Sequence, residues 1–288
     1  MAKKAINPTQ SLKIPQFIIL TSRICAFIST NLVTKYAARL FTTPIKHKVP
    51  KRELDMDHKS IQNTIFIPSI NKNIVTYKYG TSPRQILLVH GWSGRGTQLF
   101  KIADELVKIG FSTISFDAPA HGKSEGKTTI MSEFIASILE IEKLYGPFDF
   151  AIGHSLGGMS VLNAIKDGLK VNKAIIIGSG DIVQDILDDF ISKLTLKQEI
   201  SNRLRDLFEN QYNVKMNDFS AYKAAQKIKI PVLVIHDNDD PEVPVKAGIH
   251  IHKQLENGNL FLTEGLGHRK ILGNQNVIKK IIEFIKSN

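Results

Sequence analysis

From residue 65 onward, short runs rich in β-branched residues alternate with longer stretches whose apolar side chains recur at helical spacing. The strand-like runs are 74–79, 85–90, 112–117, 149–153, 173–177, 231–236 and 259–263, with helical stretches near 97–109, 130–145, 156–167, 246–256 and 274–287. Parallel neighbours need long crossover connections, and buried parallel strands need helices on both faces, so this alternation predicts a doubly wound, mostly parallel α/β sheet. One connection breaks the rhythm. Residues 180–229 hold apolar and charged residues at helical spacing and no strand-like run, so they read as a small helical lid. The expected layout is a helical N-terminal extension over 1–60, a core formed by 61–179 and 230–288, and the lid between its halves.

The sharpest chemical signal is Gly153-His154-Ser155-Leu156-Gly157, a G-x-S-x-G set between a strand and a helical run. A serine on such a turn adopts a strained backbone, and side chains two residues to either side would collide; Gly153 and Gly157 relieve that collision. Gly158 would let the following helix approach the sheet, and the helix N-terminus turns its free N–H groups and positive dipole end towards Ser155.

A serine hydroxyl needs a positioned base before it becomes a useful nucleophile, and that base needs an acid to orient it. The loop after strand 231–236 reads Asp237-Asn238-Asp239-Asp240-Pro241-Glu242-Val243-Pro244, and the loop after strand 259–263 ends in Gly265-Leu266-Gly267-His268. Both leave the carboxyl ends of strands, where ligand-facing residues of such sheets collect. His268 is the expected base, and the acid loop offers three carboxylates. Three neighbouring carboxylates repel, which should raise at least one pKa.

These motifs, together with His90-Gly91-Trp92 and Asp117-Ala118-Pro119-Ala120-His121-Gly122-Lys123-Ser124, resemble the α/β-hydrolase superfamily over about residues 60–288. The similarity is to esterase-like bacterial members. In that superfamily the acid loop commonly runs strand, Gly, two residues, Asp, two residues, Val-Pro, which matches Asp240 with Val243-Pro244. The chain departs from the pattern at Asp237, where glycine is common, so Asp237 and Asp239 stay as alternatives. The resemblance implies an α/β-hydrolase fold and an acyl-enzyme mechanism. Ser155 would be the nucleophile, His268 the base and Asp240 the orienting acid, with the backbone N–H groups of Trp92 and Leu156 as the oxyanion hole. The expected substrate is a small-molecule carboxylic ester. A thioesterase or acyltransferase with the same triad is the alternative, and a non-catalytic binding protein on the same scaffold a more distant one.

Other residues carry less. His250 and His252 stand two apart, on different faces of a helix, and Gly91, Gly94 and Gly96 lack the Gly-Lys-Ser/Thr ending of a phosphate loop, so neither metal nor cofactor is expected. His121 and His154 fit positions that support loop geometry. Cys25, the single cysteine, cannot form an intrachain disulfide.

The net charge of +11 is concentrated at one end: residues 1–52 contain ten Lys or Arg and no acid. A nucleic-acid surface would continue onto the rest of the chain with interleaved aromatics, and none does, so nucleic acid is not an expected partner. Residues 11–41 read as two amphipathic helices broken at Ser29-Thr30-Asn31, with Phe17, Leu20, Ile24 and Phe27 on one face and Leu32, Tyr36 and Leu40 continuing. The first expectation is that this face packs on the body of the protein, and the second is peripheral membrane contact through residues 1–52. Arg23 and Lys35 interrupt the apolar run short of the roughly 18 residues a membrane span needs, and no small-residue cleavage site follows. The expected location is cytoplasmic, with membrane contact at most peripheral.

Overall fold

The computed structural model describes residues 14–287. Two helices, α1 (Gln16–Ile28) and α2 (Thr30–Thr42), are separated at Ser29, whose extended backbone (φ −164°) stops the first and whose hydroxyl caps the second by accepting from Leu32 N. The short α3 (Leu54–Lys59) then leads into β1 (Ile61–Ile67).

The sheet continues with β2 (Lys72–Tyr79), β3 (Gln85–Val89), β4 (Ser112–Asp117), β5 (Phe150–His154), β6 (Lys173–Ile177), β7 (Val232–Asp237) and β8 (Gly258–Thr263). The eight strands lie in the order β1-β2-β4-β3-β5-β6-β7-β8. β2 runs antiparallel to β1 and to β4, and every other neighbouring pair is parallel. The sequence reading lacks β1. Its segment, Ile-Gln-Asn-Thr-Ile-Phe-Ile, has no regular apolar alternation, because it is an edge strand exposed along most of its length.

Helices cover both faces. Ile86 and Leu88 of β3 join a cluster with Ile102 and Leu106 of α4 (Phe100–Lys108) and Val277 and Ile281 of α12 (Gln275–Lys286). Leu87 and Val89, pointing the other way, join Phe134 and Ile138 of α5 (Met131–Tyr145), Val161 of α6 (Leu156–Lys166) and Ile251 of α10 (Lys246–Gln254). The predicted doubly wound sheet is therefore present.

Between β6 and β7 the chain forms α7 (Val183–Lys193), α8 (Glu199–Tyr212) and the short α9 (Ala221–Ala225). Leu187, Ile191, Leu194, Leu204 and Phe208 of this insertion are buried against Val33 and Ala37 of α2, in a third cluster separate from the sheet's two. Phe41 closes it, with ring centroids 5.2 Å from Phe190 and 5.9 Å from Phe208. The insertion's apolar residues thus hold it to the N-terminal helices. For α1 the sequence expectation is corrected. Ile18 and Cys25 turn towards this cluster, whereas Phe17, Leu20, Ile24 and Phe27 face outward. Both sides of α1 are apolar, so periodicity does not say which one is buried.

Candidate active site

The strand order reverses around β3 and β5, and in open α/β sheets the crevice at such a switch point, beyond the carboxyl ends of the strands, is where ligands bind. Ser155 sits there, between the end of β5 and the start of α6, with φ +54° and ψ −120°. A non-glycine residue with this backbone is strained, and its surroundings hold it: Ser155 N donates to Ile177 O at 2.9 Å, and Ser155 O accepts from Gly158 N at 2.9 Å. The turn is too tight for side chains at its flanks. A Cβ on Gly153 would lie 2.4 Å from Gly157 O, and one on Gly157 would lie 2.4 Å from Val89 O.

His268 lies in α11 (Gly267–Lys270), just past β8, and is buried. Its Nδ1 is 2.7 Å from Asp240 Oδ2, while Asp240 Oδ1 accepts from Glu242 N at 2.8 Å and Val243 N at 2.9 Å. One carboxylate oxygen is thus fixed by the loop's own backbone and the other faces the imidazole. Burial alone would raise the Asp240 pKa. The His268 hydrogen bond and charge and the two N–H donors outweigh it and hold Asp240 below the usual carboxylate value. Charge repulsion in the acid loop, expected to raise a pKa, does not prevail at Asp240.

Asp237 has a different place. Its two oxygens accept from Thr263 Oγ1 (2.6 Å), Asp239 N (3.0 Å), Leu266 N (3.1 Å) and Gly267 N (2.9 Å), so it ties the β7 loop to the residues immediately before His268. Asp239 accepts from Gly265 N at 2.9 Å. Sequence reasoning weighed these two only as alternative acids and missed their part in holding the histidine loop. The available signal was the departure itself, an acid where glycine is common at the end of a buried strand. His154 adds a further hold: its Nε2 is 2.9 Å from His268 O, and the two rings lie 4.6 Å apart.

Trp92 follows β3 on a loop fixed from several sides. Gly91 packs so closely that a Cβ on it would lie 3.0 Å from Ser155 Cβ, which brings this loop against the serine. Gly91 N donates to Gln98 Oε1 at 2.9 Å, Ser93 N to His121 Nε2 at 3.0 Å, and Ala118 N to His90 Nε2 at 3.0 Å. Asp117 accepts from Gly96 N and Lys123 N, both at 2.7 Å, binding the same loop to the turn after β4. Burial pushes His90 down to about 4 and His121 down to about 3, the latter helped by the neighbouring His90. Both are neutral at pH 7 and accept a backbone hydrogen bond, as loop supports. The indole of Trp92 stands edge-on to His121 with centroids 5.3 Å apart.

The structure therefore brings Ser155, Leu156, Asp240, His268 and Trp92 to one edge of the sheet. Ser155 Oγ makes no hydrogen bond to His268 in this arrangement. Such bonds are often long without substrate and tighten in the reactive complex. A surface cavity of about 550 Å³, lined by Pro68, Ile135 and Phe219 among others, lies away from these residues and plays no part in the site.

The family model described as alpha/beta hydrolase fold matches residues 85–218, and one described as TAP-like protein matches residues 213–287. No curated protein sequence matches the chain. Among solved structures, an esterase from Pyrococcus furiosus superposes with a TM-score of 0.66 at 17% identity, covering 85% of this chain and 97% of its own. An esterase from Exiguobacterium antarcticum gives a TM-score of 0.61 at 18% identity, covering 76% and 97%. A monoacylglycerol lipase from Paleococcus ferrophilus gives 0.58 at 20% identity, covering 74% and 98%. At such identities the likeness concerns the fold. Sheet order, family models and structural neighbours agree, and the chain belongs to the α/β-hydrolase superfamily.

Proposed function

We propose that this protein is a serine esterase that cleaves a small-molecule carboxylic ester through an acyl-enzyme on Ser155. The observation that carries the reading is a strained serine at a helix N-terminus, on the same sheet edge as a histidine bonded to a buried acid. Ser155 Oγ attacks the acyl carbonyl while His268 takes its proton. His268 then gives that proton to the departing alkoxide, releasing the alcohol. Water, deprotonated by His268, attacks the acyl-enzyme, frees the carboxylic acid and returns the proton to Ser155. Asp240 holds the imidazole in one tautomer and stabilises the imidazolium. The tetrahedral oxyanion is met by Leu156 N–H, at the positive end of α6, and by Trp92 N–H; one such donor is worth about 10²- to 10³-fold in rate. The helical insertion α7–α9 is the lid of this site.

Labelling by a fluorophosphonate probe, run beside hydrolysis of an ester series of increasing acyl length, tests the proposal. The natural protein is expected to label and turn over, and Ser155→Ala to lose both, with turnover reduced by about a millionfold. Labelling that persists in Ser155→Ala, or well-folded natural protein that neither labels nor hydrolyses any ester, would overturn it. The same series offered as thioesters, or as esters with an added alcohol acceptor, separates esterase from thioesterase and acyltransferase chemistry.

A further inference from the structure

The outward side of α1 is an apolar stripe: Phe17 is 69% exposed, Leu20 60%, Ile24 52%, Phe27 94% and Ile28 66%. The five residues recur at helical spacing along about 17 Å of helix, and Leu32 of α2 extends them. Large apolar side chains exposed in a contiguous row mark a surface that meets another apolar phase or partner. The helix beneath is well anchored, since Ile18 and Cys25 pack against the insertion's cluster and Arg23 Nε donates to Thr195 Oγ1 at 3.0 Å. The stripe is therefore presented on a fixed support.

Charge and shape narrow what would cover it. Residues 1–52 carry ten Lys or Arg and no acid, and Lys35 and Arg39 of α2 and Lys46 and Lys48 after it are exposed. A second copy would bring the same cationic segment face to face with itself, which opposes self-association. The stripe also lies along the outward side of a single helix, a convex surface and not a groove that would take a peptide. An anionic lipid surface meets both demands, taking apolar side chains into the acyl boundary and basic side chains among its headgroups. α1 has 13 residues, and among the described residues no helix is long and apolar enough to cross a membrane, so a lipid-bound α1 lies along the surface.

We propose that α1 docks this protein onto anionic membrane surfaces through Phe17, Leu20, Ile24, Phe27 and Ile28, aided by the basic residues of the N-terminal segment. The chain leaving α2 is bonded to the rim of the candidate site: Ile45 N donates to Ser93 Oγ at 3.0 Å, beside Trp92, and Lys46 Nζ to Ser124 O at 2.8 Å. Docking thus couples the membrane to the part of the molecule that carries the oxyanion loop. This inference does not depend on the proposed esterase activity.

Co-sedimentation of the full chain with phosphatidylcholine vesicles, with and without phosphatidylglycerol, tests it. Binding is expected only to the anionic vesicles and to weaken as salt rises. Phe17→Ser/Leu20→Ser/Phe27→Ser should lower the affinity by about tenfold or more with thermal stability unchanged. Lys35→Gln/Arg39→Gln, a second variant independent of the stripe, should lower the affinity and flatten its salt dependence. Failure of the natural protein to bind anionic vesicles at low salt would overturn the proposal, as would binding that the stripe variant leaves intact. If sedimentation velocity finds a dimer that the stripe variant dissociates, and vesicles are not bound, the stripe belongs to a second copy instead.

Discussion

The site edge of the sheet and the outer side of α1 both reverse the usual partition of polar and apolar groups, in opposite senses. At the site edge, polar side chains are buried: His90, Asp117, His121, His154, Asp237 and His268 are each at most 4% exposed, and each has a hydrogen-bond partner. On α1, large apolar side chains are exposed and touch little. The first reversal costs desolvation, which the hydrogen bonds offset, and it yields a rigid placement of Ser155 and His268. The second costs little in the folded chain and yields an adhesive surface. Buried polar groups at the rim should therefore be sensitive to pH and to truncation, whereas the stripe should be insensitive to both.

Acid should open the largest gap between the two regions. His90, His121, His154 and His236 all have pKa values lowered in the fold, chiefly by burial, His90 to about 4 and His121 to about 3. Unfolded histidine binds its proton near 6.5. Between that value and the folded values the unfolded chain takes up protons that the folded chain refuses, so stability falls as pH drops below about 6.5 and levels off only below the folded pKa. Asp240, depressed in the fold, acts in the same direction at lower pH, its stabilisation being lost as the carboxylate protonates. From pH 7.5 to 5.5, His90 and His121 together should cost about 2 to 3 kcal/mol, read from urea midpoints at the two pH values. A flat profile over that range would mean that these histidines are not buried as neutral groups.

Truncation at the rim comes next. Asp237→Ala removes the acceptor of four hydrogen bonds and leaves three backbone N–H groups and Thr263 Oγ1 without their partner. The expected loss is about 3 kcal/mol by urea denaturation, with ester turnover falling further than stability because the loop carrying His268 loses its anchor. A loss below about 1 kcal/mol would mean that the histidine loop is held by something else.

How much of this was legible depends on the kind of constraint. The Ser155 turn could be read because its geometry forbids alternatives: positive φ at Ser155 and backbone within 2.4 Å of any Cβ on Gly153 or Gly157 leave few residue choices. The resemblance to the superfamily's acid loop favoured Asp240, with Asp237 and Asp239 as alternatives, and the structure sets Asp240 against His268 Nδ1. Asp237 was harder, because its place follows from which loop lies beside it, and that is decided by β7 and β8 being neighbours. β1 escaped because an exposed edge strand needs no alternating pattern. α1 was misread for a plainer reason. Its two sides are both apolar, so spacing does not choose between them, and burial was decided by the fit of Ile18 and Cys25 against the insertion.

The smallest expected effect completes the comparison on α1. Phe27→Ser should change stability by less than about 0.5 kcal/mol, because the side chain is 94% exposed and its removal leaves no cavity. Val33→Ala, on the neighbouring α2, empties space in a packed cluster where Val33 is fully buried, and should cost about 1 to 3 kcal/mol. Urea denaturation of both variants, without lipid, reads the difference directly. Equal costs would mean that Phe27 is covered in solution, and the stripe could no longer be treated as a free surface. A near-zero cost for Phe27→Ser beside a clear cost for Val33→Ala would show that an aromatic side chain is kept at this position without helping the fold, which is the pattern expected of a residue whose apolar partner lies outside the chain.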